Sequence, residues 1–406
     1  MLAALNDLKV EAADIQQAYL NAPCAEKYYI ICGPEFGKEL QGRKAIVVKA
    51  LYGLRSAGQA WRRFCSDALK HSMGFEPCKA DNDVYMKKAT TSQGKAYWIY
   101  VLIFTDDILV VAEDPRSILM QLDQHLMLKP SSIGEPTMYL GANIGKYKFP
   151  GDDKEYWYMG SEHYVRESVK NVERYLEQYD KQLKSKAPTI LPSNYAPELD
   201  VSPVLDDELT STYQQYIGVL RWAVELGRVD ICGEVSAMAA FSAMPRRGHL
   251  EALFHMFAYL KTHKRSKVVL DSSYPDLPEV EEKDWYPFYG NIKEELPPDM
   301  PEPRGMPVDQ VTFEDSDHAG DKSNRRSRTG VLMYCNRALV GWYSKKQGSV
   351  ETSSFGSEMV ALKTATELSI ALRYKLRMMG VPIENPIHIR GDNMSVITNE
   401  IGRAHV

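Results

Sequence analysis

Apolar residues alternate with polar ones in parts of this chain and recur every three or four positions in others. Strand-like stretches, rich in β-branched and aromatic residues, lie at 28–32, 44–52, 97–104 and 107–112. Helical spacing marks 56–73, 117–128 and two longer amphipathic stretches, 213–241 and 249–263. The mixture predicts an α+β fold.

A second mixed pattern follows residue 310. Three strands are predicted at 311–321, 329–336 and 338–346, followed by a helix at 357–380 and a strand at 387–393. The two patterns are separated by residues 271–305, which hold 10 acidic residues, 3 basic residues and seven prolines. Because proline excludes long helices and removes ladder donors, this segment predicts an irregular connection between domains.

Composition narrows the class of protein. The 406 residues carry a net charge of −5 and 44% hydrophobic residues, without an apolar run long enough to span a membrane. The start of the chain lacks signal-peptide features, so we expect an intracellular protein. Six cysteines without a CxxC pair indicate neither a zinc site nor a disulfide framework. The acidic segment alone carries −7, so the remainder, at +2, could form a basic cleft for nucleic acid.

The first candidate site centres on two adjacent acids, Asp106 and Asp107, within the apolar run 103–111. Two unpaired buried anions would cost several kcal/mol, which favours a hairpin tip that presents both to a divalent metal ion. Asp14 ends another alternating strand and Tyr19 follows five positions later. Three such carboxylates would suit two-metal phosphoryl transfer. Exposed turn acids, and an N-cap or surface role for Asp14, are the alternatives.

The second candidate site consists of single acids at the ends of different elements. Asp315 ends a predicted strand, Glu358 lies in the first turn of a predicted helix, and Asp392 ends a buried strand. One acid per element end is what a converging metal site requires, although three unrelated surface acids would have the same pattern. Nearby basic residues suit the phosphates of a nucleic acid or are ordinary solvated loops: Arg325, Arg326, Arg328, Lys345 and Lys346.

Eight blocks resemble the polyproteins of copia-type long-terminal-repeat retrotransposons. The blocks 14–22, 49–61, 104–111 and 138–144 occur in the order of the reverse transcriptase, and later parts of the same polyprotein resemble 216–231, 245–261, 315–330 and 342–358. The resemblance covers nearly the whole chain. It implies a palm with a ferredoxin-like sheet and incomplete fingers at 1–145, a largely helical thumb or connection at 146–270, the acidic Pro-rich linker at 271–308, and an RNase H-like α/β domain at 309–406.

The resemblance also implies residue roles. Asp14, Asp106 and Asp107 would be the polymerase's catalytic aspartates; Asp315, with Asp317 as a near alternative, Glu358 and Asp392 would be the RNase H ligands. Two Mg²⁺ ions per site, or Mn²⁺, are the implied cofactors. Tyr19 would be the steric gate against ribonucleotides, or else a core tyrosine. The implied substrate-binding residues also include Arg55, Lys129 and the primer-grip turn Leu140 and Gly141.

The implied partners are an RNA template, a DNA primer, an RNA/DNA hybrid and dNTPs, with no membrane, in a cytoplasmic particle or the nucleus. The chain departs from the family at Ser56 and Gly58, where most relatives have Gln and Pro. Only 13 residues precede Asp14, and the fourth acid that the family carries downstream of Asp392 is missing, so we expect truncation at both ends and weak or absent RNase H activity. There are two alternatives: an inactive remnant of such a polyprotein, and another palm-type nucleotidyl transferase such as a cyclase. A cyclase would not explain the acids after residue 310.

Overall fold

The first 137 residues form an N-terminal unit around an antiparallel sheet. The computed structural model of the protein describes residues 1–277 and 286–396. In chain order, the elements of the N-terminal unit are α1 (Leu2–Leu5), β1 (Lys9–Asp14), α2 (Ala18–Asn21), β2 (Tyr29–Ile31), β3 (Lys44–Ile46), α3 (Ala57–Asp67), β4 (Glu76–Pro77), β5 (Val84–Thr90), β6 (Ala96–Phe104), β7 (Asp107–Ala112) and α4 (Pro115–Leu126). The sheet has the order β1-β7-β6-β5-β4, and β2 pairs separately with β3.

The central strand β6 is apolar along its whole length because both of its faces are covered. On one face Ile99 and Val101 pack in the core that also contains Trp61 of α3 and Leu122 of α4. The other face carries Tyr100 in a separate buried cluster. The N-terminal sheet therefore lies between its own helices and another part of the chain.

Residues 138–277 form a middle unit of strands and helices. Its elements are β8 (Met138–Tyr139), β9 (Ala142–Lys148), β10 (Glu155–Gly160), α5 (Glu162–Glu177), α6 (Asp207–Glu225), α7 (Cys232–Ala239), α8 (Arg247–Thr262) and β11 (Lys267–Leu270). The strands form one antiparallel sheet in the order β11-β10-β9-β8. The domain boundary expected at residue 145 falls inside β9, because the aromatic alternation in this region builds a sheet that precedes the helices of the middle unit.

The amphipathic stretch 213–241, expected to be one helix, is divided into α6 and α7. The break occurs at Gly227, which has a φ of 97°, a value that glycine adopts at little steric cost. Arg228 follows with a fully buried side chain and pairs with Asp230 at 2.6 Å. A buried arginine needs such a partner, so the ion pair stabilises the turn between the helices in addition to the positive φ of Gly227.

The C-terminal unit covers residues 286–396. It contains α9 (Tyr286–Tyr289), β12 (Gln310–Asp317), β13 (Arg328–Cys335), β14 (Ala338–Lys346), α10 (Ser354–Met378) and β15 (His388–Arg390), and the sheet order is β14-β13-β12-β15. Only β15 runs parallel to its neighbour β12. The N-cap of the long helix α10 is Ser353, whose hydroxyl accepts a hydrogen bond from the N–H of Gly356, and the helix packs on β12.

In its described parts, 271–277 and 286–305, the acidic connection is irregular apart from the short helix α9, and some of its residues are bound to the N-terminal unit. Asp299 and Glu302 form ion pairs with Lys79 and Lys88 at 2.6 and 2.9 Å. Next to them, the hydroxyl of Tyr100 donates to the carbonyl of Met379 at 2.8 Å. The outer face of the N-terminal sheet is therefore covered by the C-terminal unit.

Two of the predictions extend beyond this description. Residues 278–285 of the predicted linker and 397–406 of the predicted last domain lie outside the described residues. Within residues 1–277 and 286–396, no helix combines the length and apolar character needed to cross a membrane.

Candidate active sites

The N-terminal acidic site, defined here as Asp14, Asp106 and Asp107, forms where β1 meets the hairpin of β6 and β7. The antiparallel register pairs Asp14 directly with Asp107. Thr105 and Asp106 make the turn, and Thr105 has a φ of 55°. The N–H of Ile15 donates to the carbonyl of Asp106 at 2.7 Å. Three acids from distant parts of the sequence are thus brought to one end of the sheet.

A lysine lies inside this acidic group. Lys129 Nζ is 3.3 Å from Asp14 Oδ2, and both side chains are 46% exposed. The backbone N–H of Lys129 also donates to the carbonyl of Asp14 at 2.9 Å. Burial raises the pKa of Asp107, and Asp106 and Asp14 act in the same direction. Lys129 and the backbone N–H of Leu140 oppose this shift and favour the ionised form.

Tyr19 and Arg55 differ in their surroundings. Tyr19 is half-buried on α2, with its ring 4.5 Å from that of Tyr52. It lines a pocket of about 170 Å³ together with Gly58 and Thr105. Tyr19 therefore both contacts the core and faces an open space that reaches the hairpin turn at Thr105, while Arg55 is exposed to solvent.

Leu140 and Gly141 form the two-residue turn between β8 and β9. Their φ values are 50° and 83°, the positive pair that a type I′ hairpin turn requires. A Cβ on Gly141 would lie 3.8 Å from the indole nitrogen of Trp222 in α6. The turn is thus placed between Asp107 on one side and the helices of the middle unit on the other.

The C-terminal acidic site, defined here as Asp315, Glu358 and Asp392, brings three elements together. Each residue offers a carboxylate oxygen, and these three oxygens lie within 4.8 Å of one another. The parallel pairing of β12 and β15 explains the meeting of Asp315 and Asp392, since both strands end at the same edge. Glu358 reaches the same point from the first turns of α10.

The donor set at both sites suits a hard divalent cation, because carboxylate oxygens are the ligands that Mg²⁺ and Mn²⁺ prefer. Convergence within 4.8 Å marks the C-terminal site alone in the part of the chain that the structure describes. At the N-terminal site the acids are spread around the hairpin, and Lys129 supplies part of the compensating charge.

Glu314 is a fourth acid at the C-terminal site that the sequence reasoning missed. It is buried, and its Oε2 has no hydrogen-bond partner among the described residues. Burial raises the pKa of Glu314 to about 7, and Glu358, Asp315 and Asp392 add to the shift. The signal lies in the strand alternation, which puts residue 314 on the α10-facing side.

Asp317, the near alternative to Asp315, lies outside this converging group in the described structure. Its carboxylate accepts a hydrogen bond from the N–H of Arg328, and burial raises its pKa. Part of the predicted basic surface is also engaged internally. Arg328 donates to Ser236 Oγ at 2.8 Å and Lys346 pairs with Asp321 at 2.9 Å.

Comparison with known proteins gives these sites a family context. Residues 1–153 match the family described as reverse transcriptase (RNA-dependent DNA polymerase). The chain is 25% identical over 390 residues to the retrovirus-related Pol polyprotein from transposon TNT 1-94 of Nicotiana tabacum, with 94% of this chain and 25% of that protein aligned.

Two further relatives agree. The chain is 22% identical over 386 residues to the Pol polyprotein from transposon RE1 of Arabidopsis thaliana, covering 95% of this chain and 23% of that protein. It is 21% identical over 372 residues to the Ty1-DR1 Gag-Pol polyprotein of Saccharomyces cerevisiae, covering 90% of this chain and 19% of that protein. The chain spans about a quarter or less of the length of these relatives. The predicted resemblance to copia-type retrotransposon polyproteins is confirmed, with a reverse transcriptase region at residues 1–153.

Proposed function

We propose that this chain is an RNA-directed DNA polymerase with an appended RNase H-like nuclease. The observation that carries the polymerase assignment is the register that pairs Asp14 with Asp107 beside the turn residue Asp106. In this proposal the N-terminal unit acts as the palm, the middle unit acts as the thumb or connection, and the C-terminal unit cleaves RNA. The substrates are an RNA template, a DNA primer and dNTPs.

At the N-terminal site, Asp14 and Asp106 would be the principal ligands of Mg²⁺ or Mn²⁺, with Asp107 beside them. Bound divalent ions would stabilise the negative charge that develops during phosphoryl transfer. Lys129 lies 3.3 Å from Asp14, within reach of an incoming triphosphate or of the pyrophosphate leaving group. In this scheme its ammonium offsets charge or donates a proton.

Three other residues would position the substrates. Tyr19, at the edge of the pocket next to the hairpin, would fill the space that a ribonucleotide 2′-hydroxyl needs. Leu140 and Gly141 present a tight turn in which glycine lets the backbone approach the primer strand. Arg55 is exposed to solvent and would meet phosphate.

At the C-terminal site, Asp315, Glu358 and Asp392 would hold the metal for hydrolysis of the RNA strand in a hybrid. Their converging oxygens support this role. Glu314, buried behind them, would keep the local potential negative when ionised and would thereby strengthen cation binding. RNase H activity is a separate proposal from polymerisation because the two acid sets lie in different units.

Primer extension on poly(A) with oligo(dT) tests the polymerase. We expect Asp106→Asn to lower incorporation by about 10³-fold, since it removes a charge needed at the reacting phosphate. Asp180→Asn is the matched control, because Asp180 is exposed in a turn with a φ of 53°, which asparagine tolerates. Equal incorporation by the wild type and Asp106→Asn would eliminate the polymerase proposal.

A further inference from the structure

The sheet of the middle unit has one face against the protein core and one bare face. On the core side, Val268 and Met159 approach Gly227 between α6 and α7. Directly paired residues on antiparallel strands share a face, so Tyr156 lies on the opposite side together with Tyr147. Within the described residues, neither tyrosine belongs to a buried hydrophobic cluster.

The bare face carries four aromatic rings, which we call the aromatic platform: Tyr147, Phe149, Tyr156 and Tyr158. The ring of Phe149 is 5.0 Å from that of Tyr147 and 5.5 Å from that of Tyr156, and Phe149 is 42% exposed. Tyr158 lies across Gly145, where an added Cβ would meet the ring at 3.0 Å. Glycine at this position therefore lets the ring lie down along the sheet.

Positive charge accompanies these rings. Lys267 Nζ lies 4.7 Å from the ring centre of Tyr147 and 4.5 Å from that of Tyr158. In the described part of the chain, Lys267 has no carboxylate partner at ion-pair distance, so its charge is available to a ligand. Lys154 lies 5.0 Å from the ring of Tyr156 and 3.8 Å from Asp271.

A polar pocket of about 320 Å³ adjoins the platform at Tyr158 and Lys267. Arg166 and Arg265 on its wall share a single acid, Glu162, at 2.8 and 3.7 Å. One carboxylate cannot neutralise two guanidinium groups, so this end of the platform keeps a positive charge. At the other end Asp152 accepts a hydrogen bond from the Tyr156 hydroxyl at 2.7 Å. The excess of positive charge is therefore concentrated at the Tyr158 end of the platform.

We propose that the aromatic platform binds single-stranded nucleic acid. Unpaired bases stack on aromatic rings irrespective of sequence, while phosphates require a basic track alongside. Here Tyr147 and Tyr158 supply the rings, and Lys267 with the pocket arginines supplies the track. Duplexes are disfavoured because their bases are stacked on one another and present no free ring face. The proposal goes beyond polymerisation, because binding at this face needs no catalytic step.

The platform also has a defined relation to the N-terminal acidic site. It lies on the sheet whose β8–β9 turn, at Leu140 and Gly141, contacts Asp107 through a backbone N–H. The sheet that carries the platform is therefore attached to the edge of the proposed polymerase site through this turn.

Fluorescence anisotropy with labelled 20-nucleotide RNA, 20-nucleotide DNA and a 20-base-pair DNA duplex tests this inference, using the full chain in EDTA. We expect Tyr158→Leu and Tyr147→Leu each to weaken single-strand binding roughly 5- to 100-fold, because leucine keeps apolar volume but removes the stacking face. Tyr158→Phe should bind like the wild type. Lys267→Gln should lower the salt dependence by about 0.7 in the log–log slope.

Matched controls use an exposed aromatic and an exposed lysine elsewhere, Tyr374→Leu on α10 and Lys95→Gln in the β5–β6 turn. Thermal unfolding checks that each variant is folded. Equal losses for duplex and single strands, or no loss in the leucine variants, would overturn the proposal. So would a change of oligomeric state in sedimentation, which would identify the platform as a contact between two copies of the chain. Loss of extension in Asp106→Asn without loss of binding keeps the two proposals separate.

Discussion

The two acidic sites of this protein balance their charges in different ways. At the N-terminal site, Asp14 pairs with Lys129, and the N–H of Leu140 supports the ionised form of Asp107. At the C-terminal site three carboxylates converge within 4.8 Å, and burial with their repulsion raises the pKa of Glu314 to about 7.

The difference shows that two sites built from the same acidic residue types can differ in how much of their negative charge is neutralised before a cation binds. The Lys129 ammonium lowers the repulsion among the acids before any metal binds, so the N-terminal site costs less to fold without metal. The C-terminal site has its carboxylates close together and mutually repelling. We therefore expect its unit to gain more stability from a divalent cation.

The largest expected effect tests whether the two sites act independently. Asp14→Asn should reduce primer extension by about 10³-fold, because it removes a proposed metal ligand. Cleavage of an RNA/DNA hybrid, if the chain shows it, should be unchanged, since the C-terminal acids lie in another unit. Loss of both activities together would mean that the sites are not separate; Glu358→Gln provides the reciprocal variant.

The next effect concerns cation binding at the C-terminal site. Adding Mg²⁺ at about 100 times its dissociation constant should stabilise the folded protein by about 2.7 kcal/mol. Thermal unfolding with and without EDTA measures this, and Asp392→Asn should remove most of the gain. The same gain in Asp392→Asn as in the wild type would place the stabilising ion elsewhere.

The pH dependence of Glu314 sharpens the contrast further. Its pKa in the folded protein, about 7, lies above its ordinary value of 4.5. Its protonated form therefore favours the fold, and this contribution is complete below pH 4.5 and lost as pH rises through 7. In the wild type, the free energy of unfolding should therefore fall by on the order of 2 kcal/mol as pH rises from 5 to 8. Denaturant unfolding in EDTA measures this fall, and Glu314→Gln should largely abolish it. Persistence of the full slope in the variant would contradict the assignment.

The smallest expected effect is that of the Lys129 ammonium at the N-terminal site. Lys129→Gln should lower primer extension by about tenfold or more, as expected for loss of a charge-offsetting or proton-donating group. Lys95→Gln, an exposed lysine in a distant turn, is its control. Lys129→Gln removes the ion-pair partner of Asp14, so it should also shift the Mg²⁺ concentration that primer extension requires. An unchanged Mg²⁺ dependence would argue against charge balance by this lysine.

Much of the local structure is predictable from the sequence. The apolar runs predict β6 and β7, and the acids Asp14 and Asp107 lie at the expected ends of β1 and β7. The three strands, the long helix and the last strand of the C-terminal unit are also found in the expected order. These features depend on side-chain periodicity and on residues close in sequence, which is why a pattern can reveal them.

Other features escape the same reasoning. The sequence around Gly227 has the pattern of one continuous amphipathic helix, since a single glycine is compatible with a helix. The break there depends on tertiary contacts that favour a positive φ at this glycine. The strands of the middle unit are short aromatic runs within a region predicted to be largely helical, and the sequence pattern does not single them out. Whether such runs form strands depends on partners up to about a hundred residues away, such as β11 beside β10.

By itself, the sequence determined the mixed fold class, the family resemblance and the acids at the ends of strands and helices. Only the tertiary structure decided that Glu314 is buried behind three carboxylates, that Lys129 meets Asp14, and that one sheet face of the middle unit stays bare. The physical reason is that periodicity is a local property of the chain. Burial and charge balance depend instead on which distant segments pack together.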